Sequence, residues 1–559
     1  NTFCSNRELL KYEIGKFFRK YSSELATKRR FDEAQVMQKI TCLTSKPIDD
    51  LNESDKIELV DLQHRLDEIY KRKAEGTFIR KWLEEGEQNS AYFFRLEKHQ
   101  SNTNSVLQLN INGTISNDKD AIAKYCSHFC CKLYSSSYCP QATLTFLNSI
   151  GITQLSKEES QLCDGSMSLM EVAEAIKHLK VNKSPGTDGL TAEFYQQFSD
   201  SLAPFLLGVF KESMDRGALP PTSCQGLITL IPKPGKDPLF LDNWRPISLL
   251  NNDYKILAQV LANRVKLVLN KVIDESQSGF VQNHISNNIR LILDIMDYPE
   301  LVQDDSLILF LDFYKAFDSL EHEFIFTALN KFGFGQSFCN AVRTLYSNSN
   351  SSMKLPTGTS PRFSLKRGVR QGCPLSVYLF LLSVQLLNSH IKLGSLKGLV
   401  IANKEIVISQ LADDTALFLR DVSQVSVAIN IIRLFSKASG LSLNLHKCEL
   451  LPVKNCSATS IHGIPVKNSV RYLGIQIITN EQSRRSENFT PIIDKTQKTF
   501  NRWLQRDLSL KGRVLLSKAE GISRLTYAAQ SLHVDNTTCK AINKLLYNFL
   551  WKNKNPLLT

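Results

Sequence analysis

The sequence predicts an α+β protein, on three observations. Long helical periodicities occupy the first hundred residues and return near residue 250. The apolar run Leu307–Leu311 has the continuous pattern of a strand buried on both faces. Two alternating runs, "EIVISQL" and "TALFLR", flank Ala412, Asp413 and Asp414 and read as an antiparallel hairpin with a tight connection.

The elements follow in chain order. Leu10, Ile14, Phe17, Phe18, Tyr21 and Leu25 recur at helical spacing, and a second helix is expected from about Asp55 to Lys73. Residues 101–165 are mixed and rich in Ser, Asn and Cys. Ser168 and Glu171 form a capping box ahead of Val172, Ile176 and Leu179 on one helix face. That helix ends at the turn-rich "KSPGTDGL"; the β-rich "GLITLIPKPG" ends at two prolines, and "YKILAQVLANRVKLVLNKVI" is helical. Asp318 and Glu321 read as the N-cap and N3 residues of the helix after Leu307–Leu311. No internal repeat is visible.

Bulk properties bound the function. A chain of 559 residues is too long for one core, so three or four domains are expected. It is 42% hydrophobic and 22% charged, an ordinary globular mixture. There is no apolar run of membrane-spanning length and no signal peptide pattern, so no membrane partner is expected. The 13 scattered cysteines suit reduced thiols. The net charge of +13 favours a polyanionic partner. From Pro491 to Thr559 twelve Lys and Arg face four acids, which places +8 of that charge in the last 69 residues, among Phe500, Trp503, Tyr527, Tyr547, Phe549 and Trp551. A basic helical tail interleaved with rings suits a phosphate backbone; a solvated helix face over a small core is the alternative.

The chemistry lies in three carboxylates. Asp312 stands where the buried strand ends and has no capping duty there. Asp413 and Asp414 occupy the hairpin tip, and alone they also read as a polar turn. A hairpin beside a central strand can bring all three together. Such a trio holds two divalent ions ~3.5–4 Å apart, the arrangement for in-line phosphoryl transfer. Hard oxygen ligands suit Mg2+, with Mn2+ as a substitute.

Nine blocks in order now carry a resemblance. "WLEEGEQNSAYFFRLEK", "SPGTDGLTAEFY", "LIPKPGKDPLFLDNWRPISLLN", "ESQSGFVQNHI", "LDFYKAFD", "RGVRQGCPLS", "LADD", and the late pair "SGLSLNLHKCE" and "VRYLGIQI" resemble the reverse transcriptase of LINE-type non-LTR retrotransposons. The resemblance implies a right-hand polymerase: a helical extension (1–165), fingers (166–300), a palm with an antiparallel sheet (301–480) and a helical thumb (481–559), incomplete at its C-terminal side. It implies RNA-templated addition of deoxynucleotides to a primer 3′ hydroxyl, as in target-primed reverse transcription, with an RNA template, a DNA primer or target and dNTPs as partners. A ribonucleoprotein found in nucleus and cytoplasm is implied too. The family's endonuclease and terminal Cys/His knuckle are not in this stretch, so it reads as the core of a longer polyprotein. Leu411 departs from the family, which usually has an aromatic there, packed near the primer end. A group II intron maturase-like enzyme shares the fingers blocks, and a catalytically dead nucleic-acid-binding remnant is the reading from another class.

The resemblance also assigns roles. Asp312, Asp413 and Asp414 are the catalytic metal ligands, with Asp414 the least direct, and the backbone carbonyl of Phe313 adds one more. Lys233 and Arg245, in blocks rich in Pro and basic residues, would clamp the triphosphate, with surface charge as the alternative. Gln371 and Gly372 face the nucleotide; Gly lets the backbone approach closely, and Pro374 opens an apolar helix. Phe317 stands at the family's sugar gate, where a bulky ring excludes a 2′ hydroxyl; otherwise it is a core aromatic. Lys447 would donate a proton to pyrophosphate, or is an ordinary exposed lysine. Tyr472, Leu473 and Gly474 form the primer grip, and Lys511, Arg513 and Lys518 touch nucleic acid. Cys126, His128, Cys130, Cys131 and Cys139 are zinc-type ligands in a spacing that fits no finger or knuckle, so zinc is not expected; Cys126 and Cys130 fall on an apolar helix face with Phe129 and Leu133.

Overall fold

A computed structural model describes residues 2–45, 52–74 and 106–552, apart from 282–283, 299, 301–304, 357, 402 and 455. The segment "WLEEGEQNSAYFFRLEK" lies outside the described residues. Helices and sheets are mixed, as the sequence predicts. The chain forms two compact units: residues 1–9 with 101–484, and residues 10–100 with 485–559.

The strands that matter to function all belong to the first unit. In chain order they are β1 (Gln225–Pro232), β2 (Trp244–Leu250), β3 (Leu307–Leu311), β4 (Asn350–Leu355) and β5 (Ile408–Leu411). They continue with β6 (Asp414–Leu419), β7 (Glu449–Pro452), β8 (Ser469–Tyr472) and β9 (Ile475–Ile478). One antiparallel sheet has the order β5-β6-β3-β7. Every residue of β3 is buried, because a strand with a partner on each edge and packing on both faces has no wet side. Helices His322–Phe332, Ser376–Leu393 and Ser423–Ser439 pack on one another, and Ser376–Leu393 also packs on β5. A second sheet pairs β1 antiparallel with β2 and parallel with β4.

Local sequence sets several boundaries. Ser168 and Glu171 close the expected capping box on the helix Leu169–Lys177. The helix Asn252–Val272 is the long apolar pattern expected after β2, and its Val and Ala residues are buried, as are Leu257, Leu261 and Leu269, while Leu267 is exposed. The helix Lys119–Leu133 turns Cys126 and Cys130 into a core with Leu109, Ile228 and Trp244. That burial pushes the Cys126 thiol up to about 12, so it behaves as a small apolar group. At the chain start, Arg7 is buried and its Nε donates to the buried Asp253 carboxylate at 2.7 Å.

One local expectation is corrected. Asp318 is not the N-cap of the helix His322–Phe332; Glu321 is, without a side-chain capping bond. Leu320, extended at ψ 122°, separates the short turn Ala316–Ser319 from that helix. Both carboxylates have other partners: Glu321 accepts from Ser136 Oγ at 2.7 Å and Ser137 N–H at 2.9 Å, while Asp318 is bound inside the site described below.

In the second unit, residues 10–44 of the helix Phe3–Thr44 pack on the helix Glu53–Ala74 through Val36, Leu43 and Leu62. The C-terminal helices close over Phe500, Trp503, Leu516, Leu545 and Phe549, with the Phe500 and Phe549 rings stacked 4.0 Å apart.

Candidate active site

The three carboxylates are brought together by sheet register. Leu311 pairs with Thr415 across β3 and β6, so one step further on Asp312 and Asp414 leave the ladder side by side. Only Ala412 and Asp413 lie between β5 and β6, since Leu411 pairs with Asp414. The backbone after β3 is held from its other side: Asn444 N–H donates to the Asp312 carbonyl and Tyr314 N–H to Ser442, each at 2.8 Å.

The electrostatics confirm the proximity. Asp414 is pushed up to about 6, first by burial and then by the charges of Asp413 and Asp312. Asp413 is raised by burial and by Asp312. No cation figures among the main influences on either Asp413 or Asp414. Among the described residues, no group of three or more His, Cys, Asp or Glu stands ready-made to hold a metal ion. The donor chemistry nevertheless fits one: crowded hard oxygens whose ionisation together calls for a divalent cation.

A basic group faces the acids. Lys447 Nζ lies 3.9 Å from Asp312 Oδ2. Lys233 is half-buried, donates to the Asp242 carbonyl at 2.9 Å, and is lowered by burial and then by Lys315, Lys447 and Arg245. These four cations therefore share one field, at the mouth of the sheet. Arg245 is exposed on β2, opposite Ile231. Lys315 and Asp242 were not singled out from the sequence. Lys315 is buried, 3.8 Å from Asp242 Oδ1, and Tyr314 hydroxyl donates to the same carboxylate. The signal for Lys315 was its place between Asp312 and Phe317; Asp242 had none beyond lying in the "LDNW" block.

Gln371 and Phe317 meet around Asp318. Gln371 Nε2 donates to Asp318 Oδ2 at 3.2 Å and Tyr134 hydroxyl to Oδ1 at 2.8 Å. Gln371 carbonyl accepts from Ser248 N–H at 2.8 Å, and Gly372, at φ 118°, packs so close that a Cβ would stand 2.7 Å from the Ser248 carbonyl oxygen. Phe317 is half-buried and stacks on Phe380, centroids 4.3 Å apart. Gly372 also lines a cavity of about 540 Å³ with Lys180, Lys183, Lys255 and Lys266.

The buried Asp318 makes a pH prediction. Burial raises it to about 6 from an ordinary 3.8, although its hydrogen bonds and nearby lysines act the other way. Folding therefore favours its neutral form. That contribution is full below about pH 4 and is lost as pH rises through 6, on the order of 3 kcal/mol by pH 7. Asp318→Asn should gain stability relative to the unmodified chain between pH 4 and 7; parallel melting curves across that range would show no relative gain if Asp318 titrates normally.

The remaining predicted residues are spread out. Leu473 at φ 47° and Gly474 at φ 84° make the two-residue turn between β8 and β9. The Tyr472 ring packs on Phe310 of β3, 5.0 Å between centroids. In the second unit, Lys511 and Lys518 are exposed, whereas Arg513 donates to the Leu550 carbonyl at 2.7 Å and the Leu508 carbonyl at 2.6 Å.

Comparison with known proteins places this geometry. Residues 231–477 match the family "Reverse transcriptase (RNA-dependent DNA polymerase)". The chain is 30% identical over 518 residues to a transposon TX1 149 kDa protein of Xenopus laevis, covering 89% of this chain and 39% of that protein. It is 24% identical over 394 residues to the Pol polyprotein of the type-1 retrotransposable element R2 of Popillia japonica, covering 67% and 53%. It is 24% identical over 387 residues to the RNA-directed DNA polymerase from mobile element jockey of Drosophila funebris, covering 65% and 41%. The chain thus spans about two fifths to one half of these relatives. With a carboxylate trio at the end of a buried strand and on a neighbouring hairpin inside the matched segment, residues 231–477 are a reverse transcriptase domain, and the chain around it is similar to proteins of the TX1, R2 and jockey retrotransposable elements.

Proposed function

We propose that the chain is an RNA-directed DNA polymerase that adds deoxynucleotides to a primer 3′ hydroxyl, releasing pyrophosphate, in target-primed reverse transcription. The observation that carries this is the placement of Asp312 beside Asp413 and Asp414 under a cluster of lysines, within the segment that matches the family. In this reading residues 166–300 act as fingers, 301–480 as palm and 481–559 as thumb, after an extension over 1–165. RNA template, DNA primer and dNTPs are the partners, in a ribonucleoprotein of nucleus and cytoplasm. Among the described residues no helix is long and apolar enough to cross a membrane.

Asp312, Asp413, Asp414 and the Phe313 carbonyl would hold two Mg2+ ions, with Mn2+ able to substitute. Metal bound there would supply a lowered pKa for the primer hydroxyl and would offset charge on the leaving group. The chain's own groups do the rest. Lys233 and Arg245 hold the triphosphate, with Lys315 supporting the field. Lys447 stands where a proton can pass to pyrophosphate. Gln371, anchored by Asp318, and Gly372 orient the nucleotide, and Phe317 bars the 2′ hydroxyl. Tyr472, Leu473 and Gly474 support the primer end. The lysine-lined cavity beyond Gly372 suits template phosphates. Single-nucleotide incorporation on an annealed primer should stop with chelator and return with Mg2+ or Mn2+; incorporation that persists in chelator would refute the metal site.

The basic tail makes a separable prediction. Lys511→Ala with Lys518→Ala should flatten the salt dependence of primer–template binding, by about 0.9 in log–log slope per lost phosphate contact. Arg513→Ala should instead cost about 2 kcal/mol of stability, because two backbone carbonyls lose a charged donor. An unchanged slope in the lysine variant would place those side chains away from nucleic acid.

A further inference from the structure

The turn that carries Asp413 is held by a side chain from another part of the chain. Ala412, the first of its two residues, stands at φ 55°, in the left-handed region. Glycine is the usual occupant of such a position, and an alanine persists there only where its surroundings over-determine the backbone. Gln277 supplies that constraint. Its side chain is 1% exposed. Oε1 accepts from the Ala412 N–H at 2.8 Å, and Nε2 makes a longer contact to the Ala412 carbonyl at 3.4 Å.

The clamp is itself fixed. Gln277 Oε1 also accepts from the Gly279 N–H at 2.8 Å. Gly279 lies so close to the turn that a Cβ on it would stand 2.5 Å from the Ala412 nitrogen. Segment 276–278 runs along β5 as a short parallel partner: Gln410 N–H donates to the Ser276 carbonyl and Ser278 N–H to the Gln410 carbonyl, both at 2.8 Å. Buried amides lie behind it. Asn288 Nδ2 donates to the Gln410 carbonyl at 3.0 Å, and Asn388 Nδ2 to Gln410 Oε1 at 2.9 Å. A hydrogen-bonded polar layer of this kind specifies one geometry, where apolar packing would tolerate several.

We propose that Gln277 is a positioning residue of the active site: through Ala412 it fixes the direction in which the Asp413 carboxylate leaves the turn, and hence the affinity of the carboxylate trio for divalent cations. This rests on the polymerase reading above, but its test does not require polymerisation. It makes Gln277 an outer support of the kind that orients metal-binding groups.

The test compares the full chain with Gln277→Met, which keeps the volume and removes both hydrogen bonds, and with Gln277→Met combined with Ala412→Gly. Mn2+ binding without substrate is read by paramagnetic resonance, beside melting, primer–template Kd and kcat. Gln277→Met should weaken Mn2+ binding and lower kcat by ~10–100-fold, with primer–template Kd unchanged. Adding Ala412→Gly should restore the melting temperature, because glycine accepts the left-handed turn, without restoring Mn2+ affinity or kcat. Unchanged Mn2+ affinity in Gln277→Met, or full recovery of Mn2+ affinity on adding glycine, would overturn the proposal and leave Gln277 a stabiliser of the fold. Should the single variant fail to fold, the glycine double variant gives the same decision. If the unmodified chain binds Mn2+ at Asp413 yet extends no primer, the polymerase reading falls and the clamp is still decided by the Mn2+ arm.

Discussion

Asp413→Asn should reduce primer extension by about a thousandfold or more and leave the protein folded. A lost metal-binding carboxylate forfeits several kcal/mol of charge stabilisation, and each loss of about 1.4 kcal/mol is tenfold in rate. The fold should survive because the side chain is only half-buried, while the turn is held through Ala412 by Gln277. Removing one charge from a crowded acidic group also relieves repulsion on Asp414. The melting temperature at pH 7 is therefore expected to stay level or rise as activity disappears. Near-normal extension by this variant, beside a no-enzyme control, would remove Asp413 from the catalytic group.

Phe317→Val should admit ribonucleotides while deoxynucleotide incorporation survives. The ring is anchored by stacking on Phe380 and remains half-exposed, five residues after Asp312, as suits a wall of the sugar pocket. Opening that wall should raise kcat/KM for a ribonucleotide relative to its deoxy counterpart by about 10–200-fold, the range over which pockets discriminate small groups. A purely structural ring predicts otherwise: the change would cost roughly 1–3 kcal/mol of packing and depress both substrates together. The ratio of the two kcat/KM values, taken in a protein that still melts cooperatively, separates these outcomes.

The parts of the site legible in the sequence are those set by short-range pattern. The buried run Leu307–Leu311 and the alternating pair around Ala412 announce a strand and a hairpin through side-chain periodicity alone, and both form. The capping box at Ser168 is equally local. The same local logic misplaces Asp318. An acid three residues before a glutamate mimics a capping box, yet Leu320 breaks the helix between them and Asp318 turns inward to Tyr134 and Gln371. Partners far apart in the chain leave no local trace. Gln277 and Ala412 are 135 residues apart, and Tyr134 and Asp318 are 184 apart. Arg513 shows the converse: a basic residue in a basic tail suggests phosphate contact and gives no sign that its Nε and Nη1 donate to the carbonyls of Leu550 and Leu508.

Template-directed DNA synthesis on RNA is the activity proposed for this chain. Its most direct measurement is run-off extension of an annealed primer on a defined RNA strand by the purified chain, with dNTPs and Mg2+, and sequencing of the products. The expected product is DNA complementary to the RNA up to its end, and none from a chain carrying Asp312→Asn. No extension by the folded chain, or products that ignore the template sequence, would contradict it.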